Sequence, residues 1–191
     1  LQQLLSFLLR YSLVVVLGLA IMVFVFYPML VSLTVKKLSW KRFSSGMRDA
    51  QLTAFSTSSS VATLPVTMQS VHEKLGVSSR TSSFVLPIGA TVNMDGTSMY
   101  QAIAVVALAQ FHMVDLAWSQ QAVIVLTATL ASIGAAAVPS AGLVLMIIVL
   151  ESVGLNPAWI ALIFPVDRIL DMCRTVVNVT GDGAVSSMIA A

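Results

Sequence analysis

The segment DRILDMCRTVVNVTGD, residues 167–182, places Asp167, Arg168, Asp171, Arg174 and Asp182 among Ile, Leu, Met and Val. On a helix turning about 100° per residue, Asp167, Asp171, Arg174, Asn178 and Asp182 fall within an arc of about 80°. Thr175 borders that arc, and Arg168 lies off it. The opposite face carries Leu170, Met172, Val176 and Val179. Such a helix can only fold with its polar arc turned toward water or toward other protein.

The composition decides between those two. Hydrophobic residues make up 58% of the 191-residue chain and charged residues 9%, against roughly 25% charged in soluble domains. With a mean hydropathy of +0.94, the chain belongs to the integral membrane class. Charges at the centre of a membrane helix cost about 2.5 to 3.5 kcal/mol each, so the polar arc must face inward. The net charge of +2 gives no reason to expect a nucleic-acid partner. A lone cysteine, Cys173, excludes an internal disulfide and any multi-cysteine metal site. Without an initiator Met or a signal-peptide n-region, the chain is expected to be a piece of a longer protein.

Residues 11–35 run for 25 positions without a charge, long enough to cross a hydrocarbon core and to tilt. Pro28 is expected to kink this span. The later apolar segments are interrupted. Residues 49–71 form two short arms around TSSS, and residues 83–111 are broken by NMDGT. Residues 118–152 form two arms around a Ser/Gly/Ala/Pro stretch, and 158–191 form the last span. An arm of ten residues reaches about 15 Å, half of the core, so each pair predicts a re-entrant helical hairpin. Non-helical backbone at membrane depth needs protein or a watery cavity around it. Broken helices facing one midplane site are the pattern of a secondary transporter.

Most basic residues, namely Lys36, Lys37, Lys41, Arg42, Arg48, Lys74 and Arg80, lie between positions 36 and 80. The positive-inside rule places the 36–48 and 72–82 loops in the cytoplasm, so the two hairpins enter from opposite faces. Asp167, Asp171 and Arg174 can neutralise one another as a ladder. Asn178 and Asp182 lack a basic partner within one turn, and their oxygens suit a cation such as Na⁺. Asn93 and Asp95 add oxygen donors where Gly96 can open the helix. His72 and His112 are expected to be solvated in loops.

TSSSVATLPVTM (57–68), LPIGATVNMDGT (86–97), LASIGAAAVPSAG (130–142) and DRILDMCRTVVNVTGD (167–182) occur in this order. Together they resemble the glutamate transporter family, the dicarboxylate/amino acid:cation symporters. The resemblance implies an all-α membrane fold, the transport domain of an elevator-type symporter, built from transmembrane helices and two opposed re-entrant hairpins. It implies Na⁺-coupled symport of aspartate or glutamate, with no enzymatic activity, no catalytic residues and no organic cofactor. It implies a multi-pass protein of the cell membrane, homotrimeric through a scaffold outside this chain.

Residue by residue, the resemblance gives Arg174 the side-chain carboxylate of the substrate and Asp171 its α-amino group. Asn178 and Thr175 contact the main-chain part, with Thr97 nearby, and the hairpin tips at Ser60 and Val138 offer backbone groups. One sodium site uses Asp182 with carbonyls of Asn178, Gly89 and Asn93. A second uses carbonyls of Thr91, Ser132, Ile133 and Ala135, and a third uses Asp95 and Asn93. The second hairpin is the gate. Arg174 favours acidic over neutral substrates. NMDGT with Asp182 favours sodium coupling over the proton-coupled and C4-dicarboxylate carriers of the same family. Ser58 and Met172 stand where members often carry a further arginine, and Val61 stands where serine is common. The resemblance assigns no role to Asp167 or Arg168.

An intramembrane aspartyl protease pairing Asp95 with Asp182 is the reading from another class. Its G-x-G-D motif is broken by Val179 in Val179-Thr180-Gly181-Asp182, and it leaves Arg174 without a role. A channel is the other alternative, and two hairpins closing on a midplane site favour occlusion over an open pore.

Overall fold

The computed structural model describes residues 1–135 and 138–191; positions 136 and 137 of the LASIGAAAVPSAG stretch lie outside it. The described residues form helices and connecting turns without strands. The helices are α1 (Gln2–Ile21), α2 (Tyr27–Thr34), α3 (Trp40–Thr57), α4 (Ser60–Gln69), α5 (Ser79–Val92), α6 (Asp95–Phe111), α7 (Trp118–Ile133), α8 (Ala141–Ser152) and α9 (Ile160–Ile189).

Through α1 and α2 the chain stays helical from Gln2 to Thr34, the one stretch long and apolar enough to cross a membrane unaided among the described residues. Pro28 has no N–H for the helix ladder, and a π-helical turn at Met22–Phe26 just ahead of it absorbs the mismatch. Leu8, Tyr11, Val15 and Leu19 face the interior, yet Leu5, Leu9, Leu13 and Leu17 on the opposite face are apolar and exposed. A helix apolar all round has no face made for water.

Serine hydroxyls start the next helices. Ser39, Ser59 and Ser78 accept from the N–H groups of Arg42, Ala62 and Thr81 at the starts of α3, α4 and α5. The α3–α4 hairpin turns at Ser58, which adopts a left-handed φ of 52°. The Thr57 and Thr63 hydroxyls meet at 3.1 Å, and Thr63 donates to Ser59 O at 2.8 Å, so the tip satisfies much of its own polarity. At the base of the hairpin Lys74 pairs with Asp49, and Arg42 Nε donates to Lys74 O at 3.2 Å. The α7–α8 hairpin re-enters its second arm through Ser140, also left-handed at φ 62°.

The helix α9 runs through the middle and packs on α1, α3, α5 and α6. Its polar arc is turned inward as the periodicity requires: Asp167, Asp171, Arg174, Asn178 and Asp182 are each at most 4% exposed. Polar groups sit inside while leucines and valines cover much of the outside, the inverse of a soluble domain. The break between α5 and α6 at Asn93 and Met94 lies against this polar face.

Candidate functional site

Four elements converge on the α9 polar face around Asp171, Arg174, Thr175 and Asn178. The first is the tip of the α3–α4 hairpin, the second the start of α6, the third the tip of the α7–α8 hairpin, and the fourth α9 itself. They enclose a cavity of about 20 Å³, room for roughly one water. Ser60, Thr97, Val138, Asp171, Arg174, Thr175 and Asn178, the expected substrate contacts, all line it.

Arg174 is the centre of this end. Its Nε donates to Asp171 Oδ1 at 2.8 Å and its NH1 to Asp167 Oδ1 at 3.2 Å. The guanidinium carbon sits 4.2 Å from the ring centre of Tyr100, a cation–π contact. Tyr100 in turn donates its hydroxyl to Asp167 Oδ1 at 2.7 Å. The expected ladder therefore exists, but it leaves a donor over. Arg174 NH2 is buried and has no hydrogen-bond partner among the described residues. An unmet donor on a buried cation costs about 1 to 3 kcal/mol or more, so the arrangement suits an incoming acceptor. A carboxylate presents that acceptor in the geometry a guanidinium matches.

Asp171 is shared between the helix and the hairpin tip. Its Oδ2 accepts from Ser140 N–H at 2.8 Å, the first link between α9 and the α8 arm. Gly142 forms the second, because a Cβ there would stand 2.7 Å from Thr97 Cγ2 and 3.4 Å from Arg174 Cζ. The conflict is with the Thr97 methyl, so glycine is what lets the α8 backbone lie against Thr97, with the guanidinium in ordinary contact beside it. Gln101 of α6 also holds the α8 arm, through Nε2 to Gly142 O at 2.8 Å.

Asn178 serves the break in the α5–α6 segment. Its Oδ1 accepts from Gly96 N–H at 2.8 Å, and its Nδ2 donates to Thr97 Oγ1 at 3.2 Å. The side-chain oxygen is thus committed to the first turn of α6, as an N-terminal N–H of a helix requires. The backbone carbonyl of Asn178 is the oxygen that meets Asn93 Nδ2, at 3.4 Å, and Asn93 Nδ2 also donates to Asp182 Oδ1 at 2.9 Å. Gly89 stands directly over this group, since a Cβ on it would lie 2.5 Å from Asp182 Oδ1. Gly89, Asn93, Asn178 and Asp182 are therefore gathered in one place.

The other expected cation ligands are arranged differently. Asp95 accepts a hydrogen bond from the Tyr27 hydroxyl, beside Gly181 and Asn93. Ser132 and Ala135 are buried, joined by a turn bond of 3.0 Å from Ala135 N–H to Ser132 O, and Ala135 also lines the cavity. Ile133 is exposed, and so is Thr91, whose hydroxyl bonds back to Ile88 O. Contact between α5 and α7 is slight, and no bond joins Thr91 to that group. Among the described residues no three His, Cys, Asp or Glu side chains gather around one point. The oxygens gathered here are carbonyl and carboxylate oxygens, donors that suit a hard cation.

Several residues of the site escaped the sequence reading. Tyr100 and Gln101 lie one turn beyond Gly96 and Thr97 on α6, the same helical face, which is the signal that could have found them. Tyr27 and Ser140 gave no such signal. His112, expected to be solvated, stacks on Trp159 with ring centres 3.7 Å apart.

The profile of the sodium:dicarboxylate symporter family matches residues 2–191. Excitatory amino acid transporter 3 of Oryctolagus cuniculus is 52% identical over 172 residues, 90% of this chain and 33% of that protein. An excitatory amino acid transporter of Caenorhabditis elegans is 49% identical over 172 residues, 90% of this chain and 34% of that protein. A putative sodium-dependent excitatory amino acid transporter of the same worm is 47% identical over 182 residues, 95% of this chain and 36% of that protein. The chain spans about a third of the length of these curated relatives.

Proposed function

The chain belongs to the sodium:dicarboxylate symporter family, and from that membership and the geometry above we propose that it is the substrate- and cation-binding part of a secondary transporter carrying acidic amino acids with Na⁺. The observation that carries this reading is the buried NH2 of Arg174, a donor without a partner among the described residues, at a cavity that Asp171 also lines. A cation and an anion side by side suit a zwitterion with a second carboxylate. Arg174 takes the side-chain carboxylate and Asp171 the ammonium group, while Thr97, Thr175 and Asn178 hold the main-chain end. Succinate or malate lacks the ammonium group that Asp171 is placed to hold.

Na⁺ is carried as cargo by two or more oxygen groups. Asp182 with the carbonyls of Gly89, Asn93 and Asn178 forms one, and Asp95 with Asn93 forms another. The carbonyls of Thr91, Ser132, Ile133 and Ala135 form a further one when the α7–α8 hairpin moves. That hairpin is the gate. Ser140 N–H on Asp171 and Gly142 against Thr97 hold it down, and a substrate must displace the first of these to reach the carboxylate. Both hairpins are re-entrant and dip from opposite faces of the cell membrane, with the 36–48 and 72–82 loops in the cytoplasm. Trp40 beside the basic loop, and Trp118 at the start of α7, are exposed where an aromatic belt would lie. The protein is a homotrimer through a region outside this chain, against which these helices travel as a unit.

Uptake of labelled L-aspartate by the full-length protein in proteoliposomes tests this. An inward Na⁺ gradient is expected to drive accumulation, and succinate is expected not to compete. Uptake that ignores Na⁺ and follows a pH gradient overturns the coupling.

A further inference from the structure

The charges at the substrate end of the cavity do not balance within the cavity. Asp167 and Asp171 share the single guanidinium of Arg174, at 3.2 and 2.8 Å, and all three side chains are buried. Two carboxylates against one guanidinium leave a net charge of −1. The carboxylates of Asp95 and Asp182 lie at the cation end and answer to Na⁺. An acidic amino acid, itself net negative, would therefore enter a negative site of low dielectric, where like charges repel strongly.

Arg168 supplies the opposing charge. Its NH1 lies 3.9 Å from Asp171 Oδ2, the same oxygen that accepts Ser140 N–H at the hairpin tip. The side chain is 58% exposed. No other ion pair is made by Arg168 among the described residues. It stands about 12 Å along α9 from the helix start, by the rise per residue. Within a membrane a guanidinium facing lipid is strongly disfavoured, whereas one directed at a buried carboxylate is less so.

We propose that Arg168 strengthens the binding of acidic substrates from behind Asp171, by offsetting the net negative charge of Asp167, Asp171 and Arg174. This rests on the acidic amino-acid reading above. Arg168 acts through Asp171 and through its field, so it is a positioning residue. It keeps the outer oxygen of Asp171 turned to the hairpin tip, and it presents a positive charge where an acidic substrate arrives. Because the side chain is 58% exposed, its effect is moderate and falls with ionic strength.

Binding of L-aspartate to the full-length protein at fixed Na⁺ tests it, with Arg168→Gln and Arg168→Lys beside the parent. Arg168→Gln is expected to weaken aspartate about three- to tenfold. Arg168→Lys is expected to stay within about twofold of the parent, because a contact of this length uses the charge and not the guanidinium fork. Added choline chloride is expected to weaken aspartate in the parent more than in Arg168→Gln. Unchanged affinity in Arg168→Gln, equal loss in both variants, or the same salt dependence in parent and Arg168→Gln overturns the proposal. A parent that binds no aspartate with Na⁺ overturns the acidic amino-acid reading, and this proposal with it.

Discussion

Gln101 donates its side-chain N–H to the carbonyl oxygen of Gly142 at 2.8 Å, joining the middle of α6 to the first turn of α8. Gln101 is fully buried, and Gly142 has no room for a side chain against Thr97. The inner arm of the α7–α8 hairpin is thus held in register with the cavity by an amide, not by apolar packing alone.

Gln101→Leu keeps the volume and removes the donor. The Gly142 carbonyl keeps its place in the α8 ladder and loses one hydrogen bond, worth about 0.5 to 1.5 kcal/mol net. Hydrogen–deuterium exchange in the first turn of α8 is expected to quicken by about two- to tenfold, while the middle of α9 stays protected. Unchanged exchange in α8 would show that packing alone holds the arm.

Arg174→Cys removes both the cation and its unpartnered NH2. A carboxylate in the cavity then loses charge-assisted hydrogen bonds of about 1.5 to 3 kcal/mol each. Transport is expected to shift from aspartate toward neutral amino acids, with aspartate uptake down about tenfold at least. A variant that still strongly prefers aspartate contradicts the assignment of Arg174 to the substrate carboxylate.

Asp182→Asn keeps the shape of the group around Asn93 and removes its charge. The half-saturating Na⁺ concentration is expected to rise by about tenfold or more, because a unit charge against a cation is worth several kcal/mol at this burial. Sodium titration of aspartate binding reads this directly. An unaltered sodium dependence would falsify the Asp182 site.

Gly89→Ala tests the same place sterically. The added Cβ would meet Asp182 Oδ1 at 2.5 Å and has to push the carboxylate aside. Overpacking of this kind costs about 1 to 3 kcal/mol. A lower thermal midpoint together with a weaker response to Na⁺ is the expected result. A lower midpoint with normal sodium affinity places the Na⁺ oxygens elsewhere.

Much of the site is legible along single helices. The period of α9 puts Asp167, Asp171, Arg174, Asn178 and Asp182 on one face, and hydrocarbon permits only an inward direction for that face. The interruptions at TSSS and NMDGT mark where helices break, since their backbone groups need partners that lipid cannot give. The burial of all five side chains agrees with the first inference, and the chain leaves the helical state at Ser58 and Ser59 and at Asn93 and Met94. At Asn178 the sequence places an amide oxygen one turn from a carboxylate, without saying what that oxygen meets. In the fold that oxygen caps Gly96 N–H, and the carbonyl faces Asn93 instead.

The sequence by itself determined the class, the inward polar stripe and the places where the spans break, because periodicity and the exclusion of charge from lipid act within one segment. Only the tertiary structure decided the partners. Tyr100 meets Asp167 across 67 positions, Asn93 meets Asp182 across 89, and Ser140 meets Asp171 across 31. A helical period fixes the direction in which a side chain points, but the group it meets belongs to another helix whose height and rotation are set by packing.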